Sequence, residues 1–180
     1  MSTTVWHTTM SLDGFITGPD DAMEWAFDLG EPSDLADAVM EGTGAILAGR
    51  RWYDVATERY DGRAGIYGGR WEGPVFVLTH DPPERNEDAR ITFLTEDFEG
   101  AHATAAEAAG ERHVELFGAS IARQAIEAGL LDEIVVHVAP VLLGDGVRLY
   151  GGPGAPRADL ERAALEHQGD QISVRYRAKR

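Results

Sequence analysis

Two short stretches combine residue types that hold anions. In the first, Val114, Leu116 and Phe117 form an apolar run, Gly118-Ala119-Ser120-Ile121 breaks it, and a helical pattern continues to Gly129. A strand that turns through glycine into a helix aims unpaired backbone N–H groups and the positive end of the dipole at one spot, which suits a phosphate. The same pattern also describes a plain strand–helix–strand unit whose glycine only lets the chain turn. In the second stretch, Gly49-Arg50-Arg51-Trp52 follows the apolar run 45–48. Here two guanidinium groups add bidentate donors for an anion, unless neighbouring acids take them. Asp13, in Ser11-Leu12-Asp13-Gly14-Phe15-Ile16, is the first candidate for a proton-handling or orienting carboxylate. An Asp before Gly equally builds a turn. His7, His80, His102, His113, His137 and His167 include no HxxxH or HxH pair, so no metal site is expected. Trp6, Trp25, Trp52 and Trp71 could stack on a ring, or pack a core or a lid.

These residues need elements to position them. Residues 4–10 are β-prone and read as a first strand; residues 11–20 leave it as a loop with Phe15 and Ile16 as apolar teeth, either a lid over a cleft or a plugged hairpin turn. Met23 and Trp25 continue it. Ser33 or Asp34 caps a helix over Leu35, Ala36, Val39 and Met40, ended by Gly42 and Gly44. Residues 45–48, 75–80 and 91–94 read as strands, and 58–73 as a long glycine-rich loop. Residues 98–109 read as a helix of small residues with a weak packing face. Ser120 is expected to cap the helix that Gly129 ends, and 134–138 is a buried strand rich in β-branched residues. Pro140 and the glycines after it make 139–150 an irregular edge or loop. Runs 160–166 and 172–176 close the chain as an antiparallel hairpin. The expected architecture is α/β, a mixed sheet with βα units in its middle and a hairpin at its end, in one domain spanning residues 1–180.

Composition narrows the function classes. The chain has no cysteine, so disulfides and thiolate sites are excluded. Its formal net charge of −15 argues against a nucleic-acid partner. No apolar run approaches the ~20 residues of a membrane helix, and the first residues lack a signal-peptide pattern; a cytoplasmic protein is expected.

Six segments occur in order: Ser11-Leu12-Asp13-Gly14-Phe15-Ile16, Gly49-Arg50-Arg51-Trp52-Tyr53, Leu78-Thr79-His80, Gly118-Ala119-Ser120, Ala128-Gly129-Leu130-Leu131-Asp132-Glu133, and Pro140-Val141-Leu142-Leu143-Gly144-Asp145-Gly146. Together they resemble the dihydrofolate reductase-like family that includes the C-terminal reductase domain of the riboflavin-biosynthesis deaminase-reductase. The resemblance implies a mixed, mostly parallel sheet of about eight strands flanked by helices, NADPH as cofactor, and hydride transfer to a pterin-, pyrimidine- or flavin-like ring. It implies homodimers as well, and residues 134–150 are expected to carry the dimer surface. It places Gly49, Arg50, Arg51 and Trp52 at the cofactor phosphates, Thr79 and His80 at the 2′-phosphate, and Gly118, Ala119, Ser120 and Ile121 at the pyrophosphate. It places Ser11, Asp13 and Phe15 beside nicotinamide and substrate, with Met23 and Trp25 closing over them. A ligand-binding dimer that keeps the fold without turnover is the alternative.

The chain departs from the family pattern at two places. Phe117 stands where the glycine turn usually has its first glycine, and Leu116 stands where the riboflavin-pathway reductase has a substrate-binding glutamate. A leucine cannot accept the hydrogen bonds that a glutamate accepts. Assayed with NADPH, the ribosylamino-pyrimidine of that pathway is therefore expected to show no appreciable turnover, and efficient reduction would refute this.

Overall fold

Seven consecutive residues, Thr-Gly-Ala-Ile-Leu-Ala-Gly, form β3 (Thr43–Gly49), and every one of them is buried. Small and apolar side chains on both faces of a strand require cover on both sides, which places this strand inside a parallel sheet. The computed structural model, which describes residues 2–27, 29, 33–86 and 88–179, shows that sheet. Its other strands are β1 (Thr4–Ser11), β4 (Val75–Leu78), β5 (Ile91–Leu94), β6 (His113–Phe117), β7 (Glu133–Ala139), β9 (Leu160–Gln168) and β10 (Gln171–Ala178). Eight strands run in the order β5-β4-β3-β6-β1-β7-β10-β9. The six from β5 to β7 are parallel to their neighbours, and β10 and β9 close the far edge antiparallel. Two short strands, β2 (Phe15–Thr17) and β8 (Val147–Arg148), pair apart from this sheet.

Helices cover both faces. On one, α4 (Phe98–Ala109) and α5 (Ala119–Glu127) pack on Trp6, Leu47, Leu116 and Val136. On the other lie α2 (Asp34–Gly42), over Val5 and Val135, and α3 (Arg50–Arg59), beside Ile46, Ala48 and Val77. A four-residue helix, α1 (Glu24–Phe27), follows the first loop. Ser33 caps α2 by accepting the Ala36 N–H at 3.1 Å.

Five sequence expectations need correction. Gly118, not Ser120, is the N-cap of α5, and it makes no side-chain bond; Ser120 lies within the first turn. The strand expected over 75–80 ends at Leu78, leaving Thr79 and His80 in the turn beyond. The loop after β1 is partly a strand, because β2 pairs with β8 and buries Phe15 and Ile16. Residues 134–138 offer no dimer surface: β7 lies between β1 and β10, and Val135 is fully buried. The small residues of α4 do not weaken its packing but let it come close to β3, so Ala101 and Ala105 are fully buried.

That close approach is testable at Gly44. A Cβ there would sit 2.6 Å from the Ala109 carbonyl oxygen and 2.8 Å from its Cα, so backbone must move. Gly44→Ala is expected to destabilise the fold by about 1–3 kcal/mol, read as a lower urea midpoint.

Candidate functional site

β3 and β6 are neighbours, with Ala48 opposite Phe117, so the turns that follow them lie side by side. Gly118 has φ 98°, a left-handed value that favours glycine, and heads α5 without a side-chain cap. Gly49 heads α3, also without one. Gly49 serves by its size: a Cβ there would lie 3.3 Å from Ile121 Cγ1 and 3.4 Å from Ser120 Oγ. The first turns of a ten-residue and a nine-residue helix thus present free backbone N–H groups to one groove.

The groove has two arms that share Gly49 and Ser120. One is a cleft of about 460 Å³ with a mainly apolar wall that includes Ile16, Met23, Phe27, Val55 and Phe117; the other, of about 660 Å³, is the more polar of the two. Both fall in the usual size range of small-molecule sites. All ten residues that the sequence assigned to a cofactor line one arm or both. Gly49, Arg51, Trp52, Gly118, Ala119 and Ser120 border the apolar arm, and Gly49, Arg50, Thr79, His80, Ser120 and Ile121 the polar one. Trp52 meets Phe117 edge-on, with ring centroids 5.2 Å apart.

Both arginines are engaged. Arg50 Nε donates to Asp54 Oδ1 at 2.7 Å and its Nη1 to the Asp81 carbonyl; the carboxylate beside it raises its already high pKa further. Arg51 pairs with Asp21 at 2.8 Å. Thr79 is buried, and its hydroxyl accepts the Asp81 N–H. The polar arm also holds Glu96, Asp97, Glu99 and Glu127. Three of these have partners of their own: Thr104 donates to Glu96, Gly100 N–H to Asp97, and Arg123 to Glu127.

The first loop divides differently from the expectation. Met23 lines the apolar arm, whereas Ser11, Asp13, Phe15 and Trp25 do not. Ser11 is buried; its hydroxyl donates to Asp13 at 2.6 Å and accepts the Phe15 N–H. Phe15 is buried under the Arg148 guanidinium, 4.5 Å from its ring centroid. Trp25 Nε1 donates to the Ala22 carbonyl. Asp13 accepts from Leu143 N–H at 3.1 Å and Gly144 N–H at 2.7 Å, so its carboxylate fastens the loop after β7. The Ser11 hydroxyl and these two amides hold it at a pKa of about 2. Such a carboxylate donates no proton near neutral pH, and the turn-building role is the one the geometry supports.

Sequence reasoning missed the floor of the apolar arm, where His7, Tyr67 and Glu115 line the cleft. The Tyr67 hydroxyl donates to Glu115 Oε1 at 2.6 Å, and His7 Nδ1 lies 3.1 Å from the same oxygen. Burial and this carboxylate push the Tyr67 pKa far up. Leu116, on the opposite side of β6, belongs to the core under α4 and α5. Among the described residues no group of three or more His, Cys, Asp or Glu is placed to hold a metal ion, and no helix is long and apolar enough to cross a membrane.

The fold is that of the dihydrofolate reductases: the enzyme from Enterococcus faecalis, solved with NADP(H), superposes with a TM-score of 0.62 over 99% of this chain and 97% of that one, at 12% identity. Within that class, the chain belongs to the RibD C-terminal domain family, whose model matches residues 69–174. A protein of Shewanella sp. PV-4 named for riboflavin biosynthesis superposes with a TM-score of 0.81 over 99% of both chains, at 23% identity. The uncharacterised protein YwjB of Bacillus subtilis (strain 168) is 25% identical over 154 residues, 82% of each chain.

The Asp13 clamp has a pH signature. Its carboxyl titrates at about 2 when folded, against an ordinary value of 3.8. The clamp therefore stabilises fully above the ordinary value and is lost as pH falls from about 4 through about 2. Asp13→Asn is expected to remove this acid-dependent part of stability and to lower amide-exchange protection at Leu143 and Gly144 at neutral pH. Unchanged protection at both amides would refute the clamp.

Proposed function

We propose that this protein is an NADPH-dependent reductase that passes hydride to a small heterocycle of the pterin, pyrimidine or flavin kind. The observation that carries this reading is the meeting of two uncapped helix N-termini at the junction of an apolar and a polar arm. A dinucleotide needs that layout: N–H donors for a pyrophosphate in the middle, an apolar slot for one ring, and a polar groove for the other end. Gly118, Ala119, Ser120 and Ile121 hold the pyrophosphate from one side, and Gly49, Arg50, Arg51 and Trp52 from the other. Thr79 and His80 with Arg50 receive the 2′-phosphate. A bound nicotinamide supplies the hydride, and the apolar arm aligns the substrate and excludes water. Met23, Ala26 and Phe27 make the outer wall of that arm. Their segment is fastened to α3 where Arg51 meets Asp21, Arg59 reaches the Asp20 carbonyl, and Tyr60 bridges Glu24 and the Met23 N–H.

We also infer a homodimer. Leu12 and Leu142, exposed by 65% and 70%, lie on segments joined by the Leu12 N–H bond to the Val141 carbonyl, and offer an apolar surface there. A monomeric mass in light scattering at micromolar concentration would refute it.

The cofactor is tested by titrating tryptophan fluorescence, which Trp52 makes sensitive to the groove. NADPH is expected to bind at least tenfold more tightly than NADH at low salt, since a charge-assisted bond contributes about 1.5–3 kcal/mol. Replacing Arg50 and Arg51 together with Ala should erase most of that difference, weakening NADPH more than NADH. Equal dissociation constants in the unaltered protein would overturn the assignment. NADPH is further expected to raise amide-exchange protection at Met23 and Ala26, and unchanged protection would show that this segment is no lid.

A further inference from the structure

A continuous row of hydrogen-bonded side chains crosses five neighbouring strands beneath the apolar arm, and the reading above gives it no task. Strand register explains how it assembles. Val5 lies opposite Glu115, Thr9 opposite His137, and His137 opposite Ser173, so Glu115, His7, His137 and Ser173 share one face of β6, β1, β7 and β10. Thr43 Oγ1, at the start of β3, lies 2.9 Å from Glu115 Oε2. Glu115 Oε1 receives the Tyr67 hydroxyl at 2.6 Å, and His7 Nδ1 lies 2.6 Å from that hydroxyl oxygen. His7 Nε2 is 2.7 Å from His137 Nε2, and His137 Nδ1 is 2.7 Å from Ser173 Oγ.

Glu115 is completely buried, and among the described residues its one ionic partner is His7. Tyr67 sits at φ 53°, left-handed for a non-glycine residue, followed by Gly68 and Gly69 at φ 62° and 82°. Such backbone conformations cluster where a side chain must be aimed. Among the described residues, the titratable groups within hydrogen-bond distance of His7 are Tyr67, Glu115 and His137.

The row has two complete bonding patterns. In one, Ser173 Oγ–H donates to His137 Nδ1, His137 Nε2–H donates to His7 Nε2, and His7 Nδ1–H donates to Glu115. In the other, His7 carries both ring protons and its Nε2–H donates to His137 Nε2; His137 then holds its proton on Nδ1 and donates to Ser173 Oγ. Moving between them takes one proton gained at His7, one tautomer shift of His137 and one hydroxyl rotation, and no hydrogen bond is lost. Burial and the adjacent His7 push His137 down to about 3, and of the two rings it is His7 that lies beside the Glu115 carboxylate.

We propose that His7 is the proton donor to a nitrogen of the substrate ring, with Glu115 positioning its imidazole, the Tyr67 hydroxyl holding the donor position until substrate displaces it, and His137 and Ser173 adjusting to its charge. This rests on the reductase reading. At a ring C=N bond, the carbon receives hydride from the reduced nicotinamide while the nitrogen takes the proton from His7 Nδ1, in the place that the Tyr67 hydroxyl occupies here. The C=N π bond breaks and a C–H and an N–H bond form. The ring gains two electrons, the nicotinamide loses them, and His7 regains its second proton from solvent.

The test joins nitrogen-15 NMR of the histidine rings with kinetics. As pH is lowered across the folded range, His137 is expected to move its proton from Nε2 to Nδ1 in the same step in which His7 gains its second N–H. In Glu115→Gln this paired change should shift to lower pH. In single-turnover oxidation of bound NADPH by 7,8-dihydropterin, His7→Gln should slow the reaction at least 100-fold while its NADPH dissociation constant stays within twofold. If His7→Gln fails to fold, Glu115→Gln is expected to displace the pH–rate profile in the direction of its NMR change. A His137 proton that stays on one nitrogen, or an unchanged rate in His7→Gln, overturns the proposal. A wild-type protein that binds no NADPH overturns the reductase reading, and this role of His7 with it.

Discussion

Ala48 lies opposite Phe117 in the parallel ladder between β3 and β6, so the chain leaves both strands at one level of the sheet. Everything in the groove depends on that register. Each strand is followed at once by a glycine and a helix, and the two helices start in contact, with the Gly49 α-carbon packed against Ser120 and Ile121. A shift of one residue would separate the two helix starts and turn Glu115 from the cleft to the core, because alternate residues face opposite sides. The apolar face toward α4 and α5 fixes the register more firmly than the groove itself. Leu47 and Leu116 are cross-strand partners, both fully buried, and a slip would expose one of them to the polar side.

Positive charge at the groove comes mainly from backbone. The chain carries a formal net charge of −15, and each arginine beside the helix starts is already paired, Arg50 with Asp54 and Arg51 with Asp21. Exposed pairs of this kind contribute little to stability, about 0–1 kcal/mol. An arriving anion can therefore exchange with either carboxylate at small cost, while the N–H groups of the first turns have no acceptor within their own helix. Arg51 is placed so that such an exchange acts on the site, since Asp21 belongs to the same short segment as Met23 and Phe27. The Asp13 clamp is of another kind. It binds backbone amides of a distant loop, and so sets the position of residues 141–144 relative to the end of β1.

The sequence carries the elements more plainly than it carries the site. Glycine turns, caps and buried runs are local signals, and Ser33, Gly49, Gly118 and Gly129 act near where their residue types place them. The ten residues assigned to a cofactor fall along one groove because they sit at turns after neighbouring parallel strands. Asp13 and Ser11 show the limit of motif reasoning. A short polar residue beside a turn glycine has backbone N–H groups within reach, and here those contacts consume it. β7 shows another limit, since apolar residues on both faces mean an interior strand as readily as an interface. His7, Glu115, His137 and Ser173 lie far apart in sequence and carry no spacing signal. Only the cross-strand register brings them together, and register depends on strand order, which local patterns do not contain.

Their cost argues that they are retained for chemistry. A buried carboxylate without a lysine or arginine carries an effective penalty of several kcal/mol, which hydrogen bonds only partly offset. Around it, the same sheet is filled with alanine, valine, isoleucine and leucine, so the fold has no general need for polar residues in its interior. An apolar residue in place of Glu115 would avoid that penalty, but it would leave the Tyr67 hydroxyl and His7 Nδ1 without their shared acceptor. The polar residues reinforce one another, and their common boundary is the floor of the apolar arm. A substrate there meets a mainly apolar wall with this polar region at its floor. Within a cleft of low dielectric, that region fixes which edge of a heterocycle turns inward, and so which ring carbon faces the helix starts.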